Sequence, residues 1–172
     1  EISSLNSARY YLAGGVASAT DAMAFGGYHP PTNSDKTETW DGTSWTERAD
    51  LATARRALGG ANKGPTAAGL AFGGFSTDIQ SLTEEWTTGP SVFSKENVGQ
   101  VYYNSTSDAF KVTQRSIANG TWASGGNMNT QGYALYSLGT QTAAMRAGGY
   151  GGPPVGYQAN AETYDGSSWT AI

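Results

Sequence analysis

The amino-acid sequence predicts an all-β fold built from repeated four-stranded antiparallel units. One observation is a block of about 46 residues that occurs three times in the 172-residue chain. Another is the composition, because 24 glycines, 12% aromatic residues and only 14% charged residues suit short strands joined by tight turns. The third is an Asp-Gly dipeptide between strand-like segments at the same point of the first and third copies. A chain of this length can bury one ordinary core.

The three copies begin at Leu5, Leu51 and Met128, and the second follows the first by 46 positions, from 5 to 51. The segments that recur do so in the same order and at a near-constant spacing, which excludes a chance similarity. The matching segments are Leu5–Gly14 and Leu51–Gly60; Ala24–Tyr28, Ala71–Phe75 and Ala144–Tyr150; Thr37–Trp40 and Thr83–Trp86; Glu38–Thr46 and Glu162–Thr170.

Each copy is predicted to form four strands. In the first copy, the first strand lies near Tyr10–Val16 and the second near Ala22–Phe25, and both consist mainly of Ala, Gly and Leu. The third and fourth strands flank Asp41-Gly42 and carry bulky aromatic residues. Asp-Gly favours a two-residue hairpin turn of type I′, in which both central residues have positive φ.

The predicted turn fixes the pairing of the last two strands. A two-residue connection at Asp41 would place Trp40 opposite Thr43 and Glu38 opposite Trp45. Trp40 and Trp45 would then share one face of the sheet diagonally. The third copy repeats this pattern with Tyr164, Asp165 and Trp169.

The size of the side chains grows from the first strand of each copy to the last. Such a gradient predicts a wedge-shaped sheet, which is what a β-propeller blade requires, because the strands nearest the axis are crowded and the outer strands fill a widening gap. Double glycines at the end of each second strand allow close backbone approach and tight turning. These glycines are Gly26, Gly27, Gly73, Gly74, Gly148 and Gly149.

The repeat divides the chain into four segments. We predict one blade over 1–50, a second with an altered fourth strand over 51–97, an inserted hairpin with a Trp-containing strand over 98–127, and a third blade over 128–172. In the second copy Trp86 is not followed by an Asp-Gly turn. The insertion supplies the missing outer strand, or else it begins a second propeller. The chain holds three to four blades, whereas propellers have about 4 to 8, so a longer chain or other subunits would complete the ring.

The repeat resembles the Kelch-type β-propeller repeat, in which a double glycine follows an apolar strand and precedes spaced aromatic residues. More narrowly, Leu5–Arg9, Ala24–Gly27 and Thr37–Thr46 look like the Kelch-like repeats in virion proteins of marine tailed phages, especially cyanophages. The hairpin segment Gly99–Val112 and the following strand Gly120–Gly126 are similar to segments of phage tail fibres.

Composition also excludes several classes of function. Without cysteine there is no disulfide, thiolate metal site or thiol nucleophile. The net charge of −4 argues against a nucleic-acid partner. No apolar run reaches the roughly 18 to 20 residues of a membrane span, so no membrane insertion is expected. The single histidine, His29, has no catalytic partner in any motif, and hairpin geometry explains Asp41 and Asp165 better than calcium does. We therefore expect no enzyme activity, no cofactor and no metal.

Candidate binding residues lie in the loops after the double glycines, because loops carry function on a rigid scaffold. They are Tyr28, His29, Phe75, Tyr150 and Tyr157. The repeat positions are expected to be structural, and besides the glycines they are Trp40, Trp45, Trp86, Trp169, Asp41 and Asp165.

The resemblance implies a virion structural or adhesion module, such as a tail-fibre, appendage or decoration protein. It would act in the virion, outside the cell, in assembly or in attachment to a host surface through its loops. Its partners would be other virion proteins or copies of itself, and a host-surface glycan. The alternative is a lectin-like propeller that binds carbohydrate.

Overall fold

The computed structural model describes residues 3–61, 68–88, 101–104, 108–112 and 120–172. These residues contain strands and turns and no helix. In chain order the strands are β1 (Ala13–Ser18), β2 (Asp21–Phe25), β3 (Tyr28–His29), β4 (Thr32–Asn33), β5 (Thr37–Trp40), β6 (Trp45–Glu47), β7 (Gly59–Gly60), β8 (Ala68–Phe72), β9 (Thr83–Thr88), β10 (Val101–Asn104), β11 (Ala109–Val112), β12 (Gly120–Ser124), β13 (Tyr136–Thr140), β14 (Ala143–Ala147), β15 (Ala161–Tyr164) and β16 (Trp169–Ala171).

These strands form three four-stranded antiparallel sheets and two small hairpins. The first sheet has the order β1-β2-β5-β6, the second β7-β8-β9-β12 and the third β13-β14-β15-β16. The hairpins are β3-β4 and β10-β11. The all-β prediction with four-stranded antiparallel sheets is confirmed, and none of the sheets closes on itself in the part of the chain that the structure describes.

The fourth strand of the second sheet comes from beyond the insertion. β12 pairs with β9, and Trp122 lies directly opposite Trp86. Of the two alternatives that the sequence left open, the structure therefore has the one in which the later segment supplies the outer strand. The predicted hairpin is present as β10-β11, with Val101 opposite Val112. Positions 89–100, 105–107 and 113–119 of this region lie outside the described residues.

The predicted two-residue type I′ turn is wrong. Trp40 lies directly opposite Trp45 rather than opposite Thr43, and Glu38 lies opposite Glu47. The connection therefore has four residues, 41–44, and only its glycine has positive φ.

The physical reason lies in the Asp41 side chain. Its carboxylate accepts hydrogen bonds from the backbone amides of Thr43 and Ser44, at 2.8 and 2.9 Å, and so stabilises a wider turn. Asp165 does the same in the third sheet, where its carboxylate accepts from the amides of Ser167 and Ser168, both at 2.8 Å. The aromatic pairs flanking these turns meet directly across the strands instead of diagonally.

Neighbouring sheets pack against each other through two apolar clusters. Between the first and second sheets, the rings of Phe25 and Trp122 meet edge to face at 5.1 Å. Between the second and third sheets, Phe72 and Trp169 meet in the same way at 4.8 Å. The strands β1, β7 and β13 lie beside one another. The second sheet is therefore the middle member of a stack whose two interfaces are built alike.

Candidate functional site

A row of side chains runs along one end of the three sheets, and we call it the aromatic row. It contains seven aromatic rings and one guanidinium group, from all three repeats. In order along the row they are Tyr11, Tyr10, Tyr28, Arg56, Phe75, Tyr133, Tyr150 and Tyr157.

The backbone places these residues at the same end of each sheet. Tyr10 precedes β1 and Tyr28 follows β2, and their backbones form a bridge with N–O distances of 3.1 and 2.7 Å. The bridge thus continues the pairing of the first two strands past the ends of those strands. The equivalent bridges in the second and third repeats are Arg56 with Phe75 and Tyr133 with Tyr150.

The double glycines make these bridges possible. All six have positive φ, between 61° and 112°, which only glycine adopts without cost. A Cβ at Gly74 would come within 2.9 Å of the Arg56 carbonyl oxygen and of the Leu58 Cβ. The glycines therefore let the strands before and after the bridge approach closely enough for the row to form.

Arg56 connects the aromatic rings of the first and second repeats. Its Cζ lies 4.7 Å from the ring centroid of Tyr28 and 4.7 Å from that of Phe75. Both distances are within the roughly 6 Å range of cation–π attraction. Its Nη1 donates a hydrogen bond of 2.8 Å to Asn33 Oδ1, which holds the guanidinium plane between the rings.

The remaining rings of the row contact one another at their edges. Their centroids are separated by 4.9 Å (Tyr10–Tyr11), 5.4 Å (Tyr10–Tyr28), 6.0 Å (Phe75–Tyr133), 5.5 Å (Tyr133–Tyr150) and 5.4 Å (Tyr150–Tyr157). Edge-to-face contacts of this kind fix ring orientation. They leave part of each ring open to solvent.

The row is accessible from solution. Tyr157 is 92% exposed, Tyr11 is 63% exposed and Tyr10 is 48% exposed, while the other members are half-buried. An ordered, solvent-facing series of rings with one cation has the features of a binding surface rather than of a core.

Four of the five predicted binding residues belong to the row: Tyr28, Phe75, Tyr150 and Tyr157. His29 lies beside it, is exposed, and its Nδ1 donates to the Ala8 carbonyl oxygen at 2.8 Å. The imidazole thus ties the β3-β4 hairpin to the segment before β1.

Sequence reasoning missed four members of the row: Tyr10, Tyr11, Arg56 and Tyr133. A signal existed, because Tyr10, Arg56 and Tyr133 occupy the same position in the three repeats, two residues before a leucine. The residue that follows each of them, Tyr11, Ala57 or Ala134, has positive φ, of 56°, 50° and 52°. Such a φ is uncommon for residues other than glycine, and its occurrence at all three matching positions is a property of the repeat.

The sequence pattern also did not reveal a buried ion pair that occurs in every sheet. Arg9 pairs with Glu38, Arg55 with Glu84 and Arg146 with Glu162, and all three guanidinium groups are fully buried. Each glutamate also accepts a backbone amide from the segment leading into its sheet, from Asn6, Ala52 and Asn129 at 2.7, 2.7 and 2.8 Å. The glutamate lies on the third strand, so these hydrogen bonds hold the segment that leads into the sheet against that strand.

The arginine of the third pair lies on a strand, whereas the other two lie in the segment before the first strand. Arg9 and Arg55 precede the first strand of their sheets, but Gly132 stands at that position in the third repeat. Arg146 instead replaces the alanine that the other repeats have on their second strand, directly opposite the glutamate. Burial tends to raise the pKa of Glu162, but hydrogen bonds from Arg146 and Asn129 outweigh it and hold this pKa below its ordinary value.

The predicted structural residues other than the double glycines lie in the last two strands of the sheets and in the turns between them. Trp40 and Trp45 face each other across the last two strands of the first sheet, with ring centroids 5.5 Å apart. Trp86 and Trp169 are buried in the two clusters between sheets. Asp41 and Asp165 cap their turns. The hydrogen bonds that their carboxylates accept from backbone amides lower the pKa of both groups, that of Asp165 to about 2.

None of the protein-family models searched matches this chain, and no curated protein is significantly similar to it. Within the described ranges there is no helix with the length and apolar character to cross a membrane.

Proposed function

We propose that the chain is a non-enzymatic attachment module made of β-propeller blades, and that its aromatic row binds a carbohydrate on a cell surface. The observation that carries the proposal is the continuous, solvent-facing row of seven rings with Arg56 among them. The resemblance to Kelch-like repeats of marine phage virions supplies the setting, a virion component outside the cell whose other partners are virion proteins or copies of itself.

The packing between sheets supports blades arranged around an axis. Where the first strands meet, the backbones are so close that a Cβ at Gly15 would lie 2.5 Å from the Ala61 carbonyl oxygen. Farther out, the same two sheets are separated by the rings of Phe25 and Trp122. The gap between sheets thus widens from the first strand to the fourth, as it does between propeller blades.

The chemistry of the row suits a sugar. A pyranose ring has an apolar C–H face, which an aromatic ring covers, and hydroxyl groups at its edge, which need hydrogen-bond partners. Arg56 carries several N–H donors in a fixed plane, and Asn33 lies next to it. Tyrosine hydroxyls along the row add groups that donate and accept. A mainly apolar surface with a few fixed polar groups is typical of small-ligand sites.

The length of the row favours repeated weak contacts. Three repeats place equivalent pairs of side chains side by side, so a polysaccharide could engage several of them at once. Linked weak contacts multiply through effective concentration, and several copies on one particle would multiply them again. High affinity at any single ring is not required for attachment.

Glycan-array binding of the purified chain tests this proposal, with Tyr28→Ala and Tyr150→Ala as the informative variants. We expect each to weaken binding about fivefold or more, because a central aromatic contact contributes more than about 1 kcal/mol. Phe110→Ala is the matched control, since Phe110 is 76% exposed on the β10-β11 hairpin and does not belong to the row.

Equal glycan binding by the wild type and both tyrosine variants would refute the row as the site. Absence of glycan binding, together with the protein's presence in purified phage particles by mass spectrometry, would instead favour a purely structural virion role. Thermal unfolding of each variant shows whether a loss of binding reflects a loss of fold.

A further inference from the structure

The two interfaces between successive sheets use the same set of hydrogen bonds. Four join backbone atoms, and one runs from a tryptophan of the later sheet to a threonine of the earlier one. In the first interface they are Gly27 N to Arg55 O, Arg55 N to Ser34 O, Leu51 N to Asp35 O, Ala57 N to Tyr11 O, and Trp122 Nε1 to Thr37 Oγ1. In the second they are Gly74 N to Gly132 O, Gly132 N to Gln80 O, Met128 N to Ser81 O, Ala134 N to Ala57 O, and Trp169 Nε1 to Thr83 Oγ1.

The apolar contacts of the two interfaces match as well. Leu58 of the second repeat lies against Gly26 of the first, so that a Cβ there would be 2.9 Å from the Leu58 Cδ2. Leu135 of the third repeat lies against Gly73 of the second, with a corresponding distance of 2.7 Å. Each sheet therefore offers one face to the sheet before it and a different, complementary face to the sheet after it.

The outer face of the third sheet, which we call the tail face, presents the earlier-sheet half of this interface without a partner. Thr37 and Thr83 are buried by their tryptophans, whereas the residue at the same position of the third repeat is Ala161, which is half-buried and has no hydroxyl. A Cβ at Gly148 would meet only the Gln158 carbonyl oxygen, at 3.4 Å, and no leucine. Four backbone groups of the tail face correspond to groups that are bonded in the two internal interfaces. In the described residues these groups make no interface bond, and they are Gly149 N and the carbonyl oxygens of Ala134, Gln158 and Ala159.

The outer face of the first sheet, which we call the head face, presents the other half. Trp45, the counterpart of Trp122 and Trp169, is half-buried, and so is Leu12, the counterpart of Leu58 and Leu135. Leu5 is half-buried, although its counterparts Leu51 and Met128 are only 3% and 4% exposed. In the part of the chain that the structure describes, the amides of Leu5, Arg9 and Tyr11 and the carbonyl of Arg9 make none of the interface bonds.

We infer that the head face of a second copy of this chain docks on the tail face of the first, and the reverse, to form a closed dimer. Each of the four backbone bonds then has its donor and acceptor at the repeat position that the two internal interfaces use, while the tryptophan bond has no acceptor because Ala161 replaces the threonine. Two copies supply six sheets, within the range of about 4 to 8 that closes a ring. A head-to-tail interface closes when the rotation per copy completes a circle. This inference does not depend on what the aromatic row binds.

Exposed apolar side chains on the tail face fit this partner. Tyr136 and Leu138 are 73% and 47% exposed on β13. Ser137 between them points to the second sheet, where its Oγ bonds the Gly60 amide and carbonyl. The first sheet has Gly14 at the position equivalent to Ser137, so a docked copy leaves room for the two large side chains. They are the apolar surface that the dimer would cover.

Besides Ala161, a second position weakens the docked interface, and it provides a test. Ala147 stands where Phe25 and Phe72 contact the tryptophan of the next sheet. Trp45 of the second copy would therefore meet a smaller side chain. We expect Ala147→Phe to restore the edge-to-face contact and to lower the dimer dissociation constant several-fold, since ring pairs of this kind are favourable beyond the area they bury.

Sedimentation velocity of the full chain over a concentration series measures the assembly. The expected species has twice the 17.9 kDa mass of one chain. Leu138→Glu should shift it to monomer because the charge would be buried in the interface, while Phe110→Glu, an equally charged change on the exposed β10-β11 hairpin, should leave it unchanged.

A chain that stays monomeric at every concentration would overturn the inference. So would trimers or open polymers, or a dimer that neither Leu138→Glu nor Ala147→Phe affects. Glycan binding by a monomer would leave the proposed function standing while this inference fails, and a dimer without glycan binding would do the reverse.

Discussion

Replacing Arg55 by alanine tests the buried ion pairs most directly. Arg55 has no exposed side-chain surface and Glu84 only 5%, so the change leaves the Glu84 carboxylate buried with the Ala52 amide as its remaining partner on that side. The protein should lose stability because a buried charge without its counterion is poorly compensated.

The size of the loss follows from burial and from the hydrogen bonds of Arg55. Breaking a buried pair by removing one partner costs about 3–5 kcal/mol. Burial lowers the pKa of Arg55, and its Nε has no partner among the described residues, so the guanidinium is itself incompletely compensated. We therefore expect a value near the lower end, about 3 kcal/mol.

The third repeat suggests a second-site substitution that should restore much of this loss. Ala71 on β8 lies opposite Glu84, as Arg146 lies opposite Glu162. In the double variant Arg55→Ala/Ala71→Arg, the guanidinium would reach the same carboxylate from the second strand. Ala71→Arg alone should destabilise, because Arg55 already occupies the space and Ala71 is fully buried.

Urea unfolding followed by tryptophan fluorescence measures these effects. With a slope of ~2 kcal/mol per molar urea, the loss of about 3 kcal/mol moves the midpoint by ~1.5 M. The double variant should regain at least half of that shift. The idea is that the repeat maintains the location of the guanidinium group beside the glutamate, whichever sequence position supplies it. Additive destabilisation by the two substitutions would refute this idea.

Three further predictions concern single groups. The Asp165 carboxyl should titrate near pH 2 by NMR, whereas titration near the ordinary aspartate pKa of ~3.9 would contradict the turn geometry. Its contribution to stability is therefore complete above ~3.9 and is lost as the pH falls toward 2. Phe72→Ala should lower the free energy of unfolding by ~3–5 kcal/mol in urea, since Phe72 is fully buried between two sheets, and a loss under about 1 kcal/mol would mean that this interface does not hold the fold. Burial and the hydrogen bond to Glu85 raise the pKa of Tyr164 to about 12, so its phenol should ionise near pH 12 by ultraviolet absorbance, and Glu85→Gln should move the midpoint toward ~10; an unchanged midpoint would remove Glu85 as a cause.

The repeat made the four-stranded antiparallel sheets and the order of their strands predictable, but not the β3-β4 hairpin. Four strands per copy, the small residues of the first two and the aromatic pair of the last two all follow from local pattern. The turn at Asp41 could not be predicted in the same way, because Asp-Gly is compatible with several loop lengths. The choice depends on the Asp41 side chain, whose bonds to two amides stabilise four residues rather than two.

The aromatic row was only half predictable. Tyr28, Phe75 and Tyr150 follow the double glycines and were visible as loop aromatics. Tyr10 and Arg56 precede the first strands, and nothing local shows that the backbone brings them back to those loops. That contact depends on bridges formed across the ends of the sheets, which are tertiary features.

The buried pairs explain why the third repeat could depart from the other two without losing the common structure. At the second interface Gly132 replaces Arg55, yet the same backbone amide and carbonyl make the same two bonds. The guanidinium that the leading segment no longer supplies comes from Arg146 on the neighbouring strand. What the repeat holds constant is therefore a set of backbone bonds and the location of one buried cation beside one carboxylate. The position that supplies the cation is free to change as long as both are met, so a comparison made position by position misses this relationship between the repeats although the structure keeps it.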